Sequence, residues 1–460
     1  MRQHAAELPS EMGQLLRAHP ASAGESREMP RLLLSFADLF SVEASFVLFL
    51  FAGRYKNLPE LRGFPIDFTL LFLTATFCLV AWAVVSGRMR PIPLSSPVLL
   101  MISFSAFAVA SLFWSSMDQR NVEKLTHFLL LASPSFFVAH LSAQDKPRRE
   151  RLLRWLLWFS AAILMYYVYY RWILGINLAD KQGEDYANNY IEYNSHANIV
   201  FILFVSLAVF GSPPPKQLAI AIVGACAALF ALLTIGGRGP LALALLAIPF
   251  LAIGLLLRAR GGLPRLARLL GHACAVTGVA VLGYMVLVQS EGSSAAWEEL
   301  RTLDRFEMQL SHESTDSMDV RLEAQEYAFE KWLEQPVTGW GFGEFRIHSD
   351  LDYPHNLLLE ILMEMGLVGA FLFFSVCAVA IIDCVRMARD GTSNFVDATI
   401  ALLFLTQLVS HLTVQGYLGD DRIFLAFIGL AIGSRSGALE QIQSVRPRKI
   451  ARQSSSAGED

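Results

Sequence analysis

Long apolar runs separated by short polar segments are the dominant pattern of this chain. A helix needs about 20 apolar residues to cross a hydrocarbon core of about 30 Å, and most of these runs reach that length. Because the runs are continuous and do not alternate, they predict helices and not the strands of an outer-membrane barrel. The predicted spans lie at about 33–53, 66–86, 95–114, 125–143, 152–173, 195–211, 217–236, 240–257, 267–288, 355–385, 395–415 and 421–435.

The distribution of Lys and Arg predicts the orientation of these helices. With the N-terminus in the cytoplasm, 23 of the 37 basic residues fall in cytoplasmic segments, and residues 146–154 alone contribute five. Short cytoplasmic loops of membrane proteins carry an excess of such residues. The distribution therefore predicts that both termini are cytoplasmic.

Composition supports a polytopic membrane protein. The chain of 460 residues is 54% hydrophobic and 17% charged, with a mean hydropathy of +0.43, whereas about a quarter of the residues in a soluble domain are charged. All five cysteines lie within apolar runs, so no disulfide framework is predicted. The first 30 residues lack the apolar core of a signal peptide and predict a cytoplasmic tail.

One long polar loop, about residues 289–353, interrupts the apolar pattern. In the predicted orientation it lies outside the cytoplasm, and it holds 15 acidic residues against five basic ones. Two amphipathic stretches, about 295–310 and 319–334, predict helices that lie on the membrane or on the helix bundle. The sequence Gly-Trp-Gly-Phe-Gly at 339–343 then has the backbone freedom for a tight turn back towards the membrane.

A histidine and an amide, His355 and Asn356, stand where this loop meets the tenth apolar span. Polar groups at membrane depth are costly, so this pair needs an explanation. Neutral imidazole can accept a proton from a sugar hydroxyl near neutral pH, which makes His355 a candidate general base. The structural alternative is a residue at the helix start that bonds to loop backbone.

Two acidic residues, Glu360 and Glu364, follow Asn356 at a spacing of four and so share one face of the predicted helix. We expect Asn356, Glu360 and Glu364 either to orient the histidine and bind an acceptor or to make structural hydrogen bonds between helices. Gly366 and Gly369 predict close helix packing.

Two arginines are candidates for binding a diphosphate. Arg238 lies between glycines and between two spans on the external side, and a guanidinium there binds phosphate through paired, charge-assisted hydrogen bonds. Arg321 begins the second predicted loop helix. The structural alternatives are an arginine that extends towards lipid headgroups at 238 and a surface ion pair at 321.

Other polar residues within apolar runs have more than one interpretation. Asp38 and Glu43 in the first span are explained by helix pairing or by a proton pathway. The cluster 194–198, which includes His196, either contacts substrate or caps the sixth span. No zinc-site, phosphate-loop or dinucleotide motif accompanies these residues, so nucleotide-dependent chemistry is not indicated.

These features together resemble the O-antigen ligase and polymerase superfamily (WaaL/Wzy type). The resemblance consists of Gly-Gly-Arg-Gly at Arg238, the long external loop, the glycine-rich turn, and His355-Asn356 followed nine residues later by Gly-x-x-Gly. It covers about residues 195–385. Many members have Arg-x-x-x-Leu in the loop, where this chain has Gln325 in place of the leucine.

The resemblance implies an all-α integral membrane protein with about 12 transmembrane helices, a GT-C-like fold and a long periplasmic loop that contains short helices. It implies a metal-independent, inverting glycosyltransferase of the bacterial inner membrane that needs no cofactor. Its donor would be a glycan linked to undecaprenyl diphosphate on the periplasmic face. Arg238 and Arg321 would bind the donor diphosphate, and His355 would activate the acceptor hydroxyl.

Several activities fit this resemblance. The leading prediction is transfer to lipid A–core, as by an O-antigen ligase in lipopolysaccharide biosynthesis. The alternative is polymerisation of O-antigen or exopolysaccharide, with a second lipid-linked glycan as acceptor, and transfer to a protein hydroxyl is a third. A polysaccharide transporter or flippase is the alternative from another class, and it predicts repeats and broken helices with charges near the midplane. Membrane lipids are expected as partners, and nucleic acid is not.

The predicted organisation has five regions. They are a cytoplasmic tail at 1–30, N-terminal transmembrane helices at 31–194, a catalytic region at 195–385 that includes the periplasmic loop 289–353, C-terminal transmembrane helices at 386–436 and a basic cytoplasmic tail at 437–460.

Overall fold

The computed structural model describes most of the chain between residues 34 and 437. The described residues are 34–56, 58, 60–61, 63–176, 189–211, 213–257, 271, 316–349, 351–389 and 395–437. Regular structure within these ranges is entirely helical. The predicted ninth span (apart from Gly271) and the first predicted loop helix lie outside the described residues.

The helices are numbered in chain order. In the first half they are α1 Val42–Tyr55, α2 Phe68–Val85, α3 Ser96–Ala110, α4 Gln119–His127, α5 Ser133–Ala143, α6 Lys146–Val168 and α7 Asn189–Phe210. In the second half they are α8 Pro215–Ile235, α9 Arg238–Leu257, α10 Asp316–Glu334, α11 Phe345–His348, α12 Leu357–Arg389, α13 Phe395–Thr413 and α14 at 422–437. Short π-helical turns at Phe128–Ala132 and Tyr169–Ile173 join α4 to α5 and extend α6.

Eight helical segments among the described residues are long and apolar enough to cross a membrane. They are Phe68–Val85, Ser96–Trp114, Gln119–Ala143, Lys146–Ile173, Tyr193–Phe210, Pro215–Ile235, Leu357–Arg389 and Phe395–Thr413. Three further predicted spans contain the helices α1, α9 and α14, and in α9 the stretch Arg238–Gly254 is apolar. The chain is therefore a multi-pass membrane protein whose described residues contain eight candidate spans, against the twelve predicted.

Burial separates the central helices from those that face lipid. Only 11% of the α2 span is buried, against 78% of the Tyr193–Phe210 span in α7. Large apolar side chains such as Leu70 and Trp82 are exposed on α2, as expected where the surrounding solvent is hydrocarbon. Helix α7 packs against α6, α8, α9 and α13 and so forms the centre of the bundle.

Ion pairs close one end of the bundle, which we call the arginine end. Glu43 is fully buried and pairs with Arg148 and Arg151, each at 3.0 Å, while Asp38 pairs with Arg151 at 2.9 Å and with Arg154 at 3.8 Å. The two acids in the first predicted span are thus explained by pairing between elements, without a proton pathway.

The opposite end, which we call the loop end, carries the described part of the long loop. The helix predicted at 319–334 is confirmed as α10, and it packs against α12. Its residues Ala324 and Ala328 are buried with Phe345 and Met363. This apolar contact fixes the loop helix on the bundle.

Candidate active site

Helix α12 is broken at Gly366, and the loop segment after α10 closes the break. Gly366 has φ 60° and ψ −163°, a conformation outside any helix. The carbonyl groups of Met363 and Glu364 accept hydrogen bonds from the backbone N–H groups of Trp340 and Gly341, at 2.9 and 2.8 Å. In a continuous helix these two carbonyls would accept from residues 367 and 368.

The backbone N–H groups that follow the break also form hydrogen bonds with the loop segment. The N–H groups of Leu367 and Val368 donate to the carbonyl groups of Pro336 and Val337, at 2.9 and 3.2 Å. A Cβ added at Gly366 would lie 2.3 Å from the Val337 carbonyl oxygen. The helix packing predicted for this glycine is therefore wrong: the group that approaches it closely is loop backbone.

His355 lies immediately before α12, in a left-handed backbone conformation with φ 56°. Its Nδ1 lies 3.2 Å from the Val414 carbonyl oxygen. Because a carbonyl oxygen only accepts, Nδ1 carries the proton in this bond and Nε2 keeps its lone pair. The ring also packs on Tyr353, with centroids 4.4 Å apart. The structure thus fixes the tautomer in which Nε2 is the basic nitrogen.

The surroundings of His355 favour its neutral form. Burial lowers the pKa of the imidazole, and the positive charge of Arg321 lowers it further, while the bond to Val414 acts in the opposite direction. A histidine with a lowered pKa stays unprotonated at neutral pH. It is therefore ready to accept a proton.

Arg321 lies close to His355, and Arg238 is adjacent in sequence to a glycine that approaches Val414. Arg321 on α10 is half-buried and close enough for its charge to act on His355. Arg238 is the first residue of α9, and a Cβ added at the adjacent Gly239 would lie 3.2 Å from Val414 Cγ1. Val414 is the residue that holds His355, so residues predicted from three separate motifs lie around one point of the loop end.

Asn356 has a local structural role. It is the N-cap of α12, because its side-chain Oδ1 accepts from the Leu359 N–H at 3.2 Å and its carbonyl accepts from the Glu360 N–H at 3.0 Å. N-cap asparagines satisfy donors that the first helical turn leaves free.

Glu360 and Glu364 are buried and share a lysine that was not among the predicted site residues. Lys124 on α4 is fully buried, with its Nζ 2.6 Å from Glu360 Oε1 and 2.7 and 2.9 Å from the two Glu364 oxygens. Removing one member of such a group costs about 3–5 kcal/mol, because a buried charge is left unpaired. A span boundary predicted at 125 placed Lys124 in a water-facing segment. The sequence did contain a signal for this group, because Lys124 lies at the end of one apolar span while Glu360 and Glu364 lie one helical turn apart in another.

A second set of hydrogen bonds, made by Glu344, holds the loop to α4 and the residues before it. These bonds were not predicted from the sequence. Glu344 is buried, and its Oε1 accepts from the Ser116 N–H and from the Asn121 side chain, both at 2.6 Å. Its other oxygen lies 3.1 Å from His348 Nε2. The loop that carries His355 is therefore fixed to the bundle on both sides of the glycine-rich turn.

The cluster 194–198 does not cap a helix, contrary to one of its two interpretations, because α7 already begins at Asn189. His196 is buried inside the bundle, where its Nδ1 lies 3.0 Å from Ser160 Oγ and its ring packs on Phe51 and Phe159. These contacts give His196 a structural role.

This fold and site define a helical, multi-pass membrane protein with a histidine at one end that lies close to Arg321 and is bound to Val414. Comparison with known families agrees with that class. Residues 222–374, about a third of the chain, match the family described as O-Antigen ligase (Wzy_C), and this match confirms the resemblance to the O-antigen ligase and polymerase superfamily. This match supports a membrane enzyme of the O-antigen ligase or polymerase type. No curated protein matches the chain.

Proposed function

We propose that this protein transfers a glycan from undecaprenyl diphosphate to an acceptor sugar at the loop end of the bundle, with lipid A–core as the acceptor. The observation that carries the proposal is the fixed tautomer of His355. Its Nδ1–H is bound to the Val414 carbonyl, which leaves Nε2 as a base close to the charge of Arg321. The family match over 222–374 includes all three residues.

In the proposed reaction the acceptor hydroxyl attacks the anomeric carbon of the donor sugar. His355 Nε2 takes the hydroxyl proton as the new glycosidic bond forms. The bond between the anomeric carbon and the diphosphate oxygen breaks, and undecaprenyl diphosphate leaves with the electron pair. A single displacement of this kind inverts the anomeric configuration.

The arginines have two tasks in this reaction. Arg238 and Arg321 bind the diphosphate, and their charge stabilises the negative charge that develops on the leaving group. Arg321 also acts on the base itself, since its charge favours neutral His355. The leaving group supplies the driving force, so this scheme uses no nucleotide, metal or cofactor.

The sidedness of the site follows from the predicted topology. The arginine end contains the stretch 146–154, which the Lys and Arg distribution assigns to the cytoplasm. The loop end then faces the periplasm of a bacterial inner membrane, with both termini cytoplasmic. Lipid-linked glycans would reach His355 from the outer leaflet.

The transporter alternative receives less support than the enzyme. A transporter predicts broken helices whose free backbone groups face a midplane cavity. Helix α12 is broken, but the break lies nine residues from the helix start and four loop hydrogen bonds close it. The backbone groups at Gly366 are therefore occupied.

The test is glycan transfer by the purified protein with His355→Ala. The wild-type protein, an undecaprenyl-diphosphate-linked glycan and lipid A–core are expected to give ligated product, and the variant to give none while remaining in the membrane. His348→Ala is the matched control, because His348 is a histidine of the same loop whose loss removes one contact of Glu344 and leaves those with Ser116 and Asn121 in place. Normal product from His355→Ala would show that the base is assigned wrongly.

Acceptor choice separates the two enzymatic alternatives. The same assay is run with a second lipid-linked glycan in place of lipid A–core. Elongated lipid-linked product without ligation would identify a polymerase. In a deletion strain, a ligase is expected to leave long lipid-linked polymer accumulated, whereas loss of a polymerase leaves single repeats.

A further inference from the structure

We propose that Lys124 is a positioning residue for His355: through Glu360 and Glu364 it holds the segment 414–419 against the histidine. The inference rests on the proposed function for the task of His355. The contacts that support it are independent of any reaction.

On one side, the segment 414–419 lies directly on the lysine. The Leu418 N–H donates to Glu360 Oε1 at 3.1 Å, and this is the same oxygen that accepts from Lys124. The ammonium lies 5.4 Å from the centre of the Tyr417 ring. A Cβ added at Gly419 would lie 2.8 Å from Lys124 Cγ. The lysine and its carboxylate therefore support the segment along several residues.

On its other side, the same segment lies against the turn that carries His355. The Val414 carbonyl accepts from His355 Nδ1, and a Cβ added at Gly416 would lie 2.8 Å from the Leu357 backbone nitrogen. No larger residue fits between these two backbones. The position of the Val414 carbonyl thus depends on the contacts that Lys124 and Glu360 make with the segment 414–419. The tautomer of His355 depends on that carbonyl in turn.

Charge explains why the lysine is needed. Lys124 is the cation in contact with both carboxylates, which lie one helical turn apart and are 1% and 2% exposed. Two like charges held that closely in a buried site repel each other strongly. Without the ammonium, Glu360 moves or takes up a proton, and the acceptor for the Leu418 N–H changes. The segment then moves away from His355.

The experiment is chemical labelling of His355 in the full-length protein with Lys124→Met. Diethyl pyrocarbonate reacts with unprotonated imidazole, and peptide mass analysis reports labelling at His355 without any substrate. In the variant we expect faster labelling and a labelling midpoint that rises towards the ordinary histidine value, because burial of the ring is relieved. We also expect kcat to fall by about 10²-fold, the effect of a displacement near 1 Å, with KM for the lipid-linked donor unchanged.

Lys331→Met is the matched control. Lys331 makes a similar bidentate pair, 2.8 and 3.0 Å from the Glu334 oxygens, but on the surface of α10. It is expected to change neither labelling nor turnover. If Lys124→Met does not accumulate in the membrane, the triple variant Lys124→Met/Glu360→Gln/Glu364→Gln removes all three charges, and the same labelling changes are expected.

A folded Lys124 variant with wild-type labelling rate, midpoint and kcat would overturn the inference, since the triad would then be only structural. The proposed function can fail separately. If the wild-type protein transfers no glycan while Lys124→Met still alters labelling of His355, the glycosyltransferase assignment is wrong and the positioning role stands.

Discussion

The break in α12 at Gly366 makes a strong prediction for Gly366→Ala. At φ 60° and ψ −163° this residue occupies a region that is essentially restricted to glycine, and such strain costs about 1–3 kcal/mol. The added Cβ would lie 2.3 Å from the Val337 oxygen and 2.6 Å from the Gly339 nitrogen, which are backbone atoms and cannot rotate away. The loop segment must therefore move.

Movement of that segment would lengthen or break the four backbone hydrogen bonds that close the break in α12. Each bond contributes about 0.5–1.5 kcal/mol net, so loss of all four together with the strain would lower the stability by about 3–9 kcal/mol. Thermal unfolding in detergent measures the loss, and limited proteolysis between α10 and α12 reports release of the loop. Gly254→Ala is the control, because its nearest neighbour, Phe210, is 3.8 Å away and alanine favours the helix. Equal stability of Gly366→Ala and wild type would refute the structural interpretation of the break.

Two further predictions concern the candidate site. Removing the charge in Arg321→Gln raises the pKa of His355 towards its ordinary value, since that charge lowers it. Because the base works unprotonated, activity is lost as pH falls through this pKa. The acid limb of the pH–kcat/KM profile should therefore move to higher pH in the variant. An unchanged acid limb would show that the Arg321 charge does not act on His355. In Asn356→Ala the helix loses its N-cap, and thermal unfolding should show a loss of about 0.5–2 kcal/mol, whereas Asn356→Asp should retain most of the stability.

Among the described residues, buried ion pairs lie at both ends of the bundle. At the arginine end, Glu43 of α1 and Asp38 of the preceding turn Phe36–Phe40 pair with arginines of α6. At the loop end, Lys124 and its two glutamates join α4 to α12. Charges inside a membrane protein are tolerated when they pair with one another or face a protected cavity. At the loop end, the pairing of Lys124 with the two glutamates also fixes the segments around His355.

The sequence by itself determined the helices and the identity of the candidate site residues. A helix in lipid satisfies its own backbone groups, so a long apolar run specifies a helix without reference to its partners. Each of the eleven predicted spans that lie largely within the described residues contains a helix, and α10 in the loop was predicted from its amphipathic pattern. His355 and Arg238 stood out as polar residues at span ends, whereas Arg321 was a candidate chiefly through the resemblance to the O-antigen ligase and polymerase superfamily.

Only the tertiary structure decided how these residues work together. The tautomer of His355 depends on Val414, 59 residues away, and the charge balance of Glu360 depends on Lys124, 236 residues away. The closure of the Gly366 break depends on backbone groups of the loop, which carry no side-chain signature. Local periodicity records which face of a helix is apolar. It does not record which distant residue meets that face, because that is fixed by packing of the whole bundle.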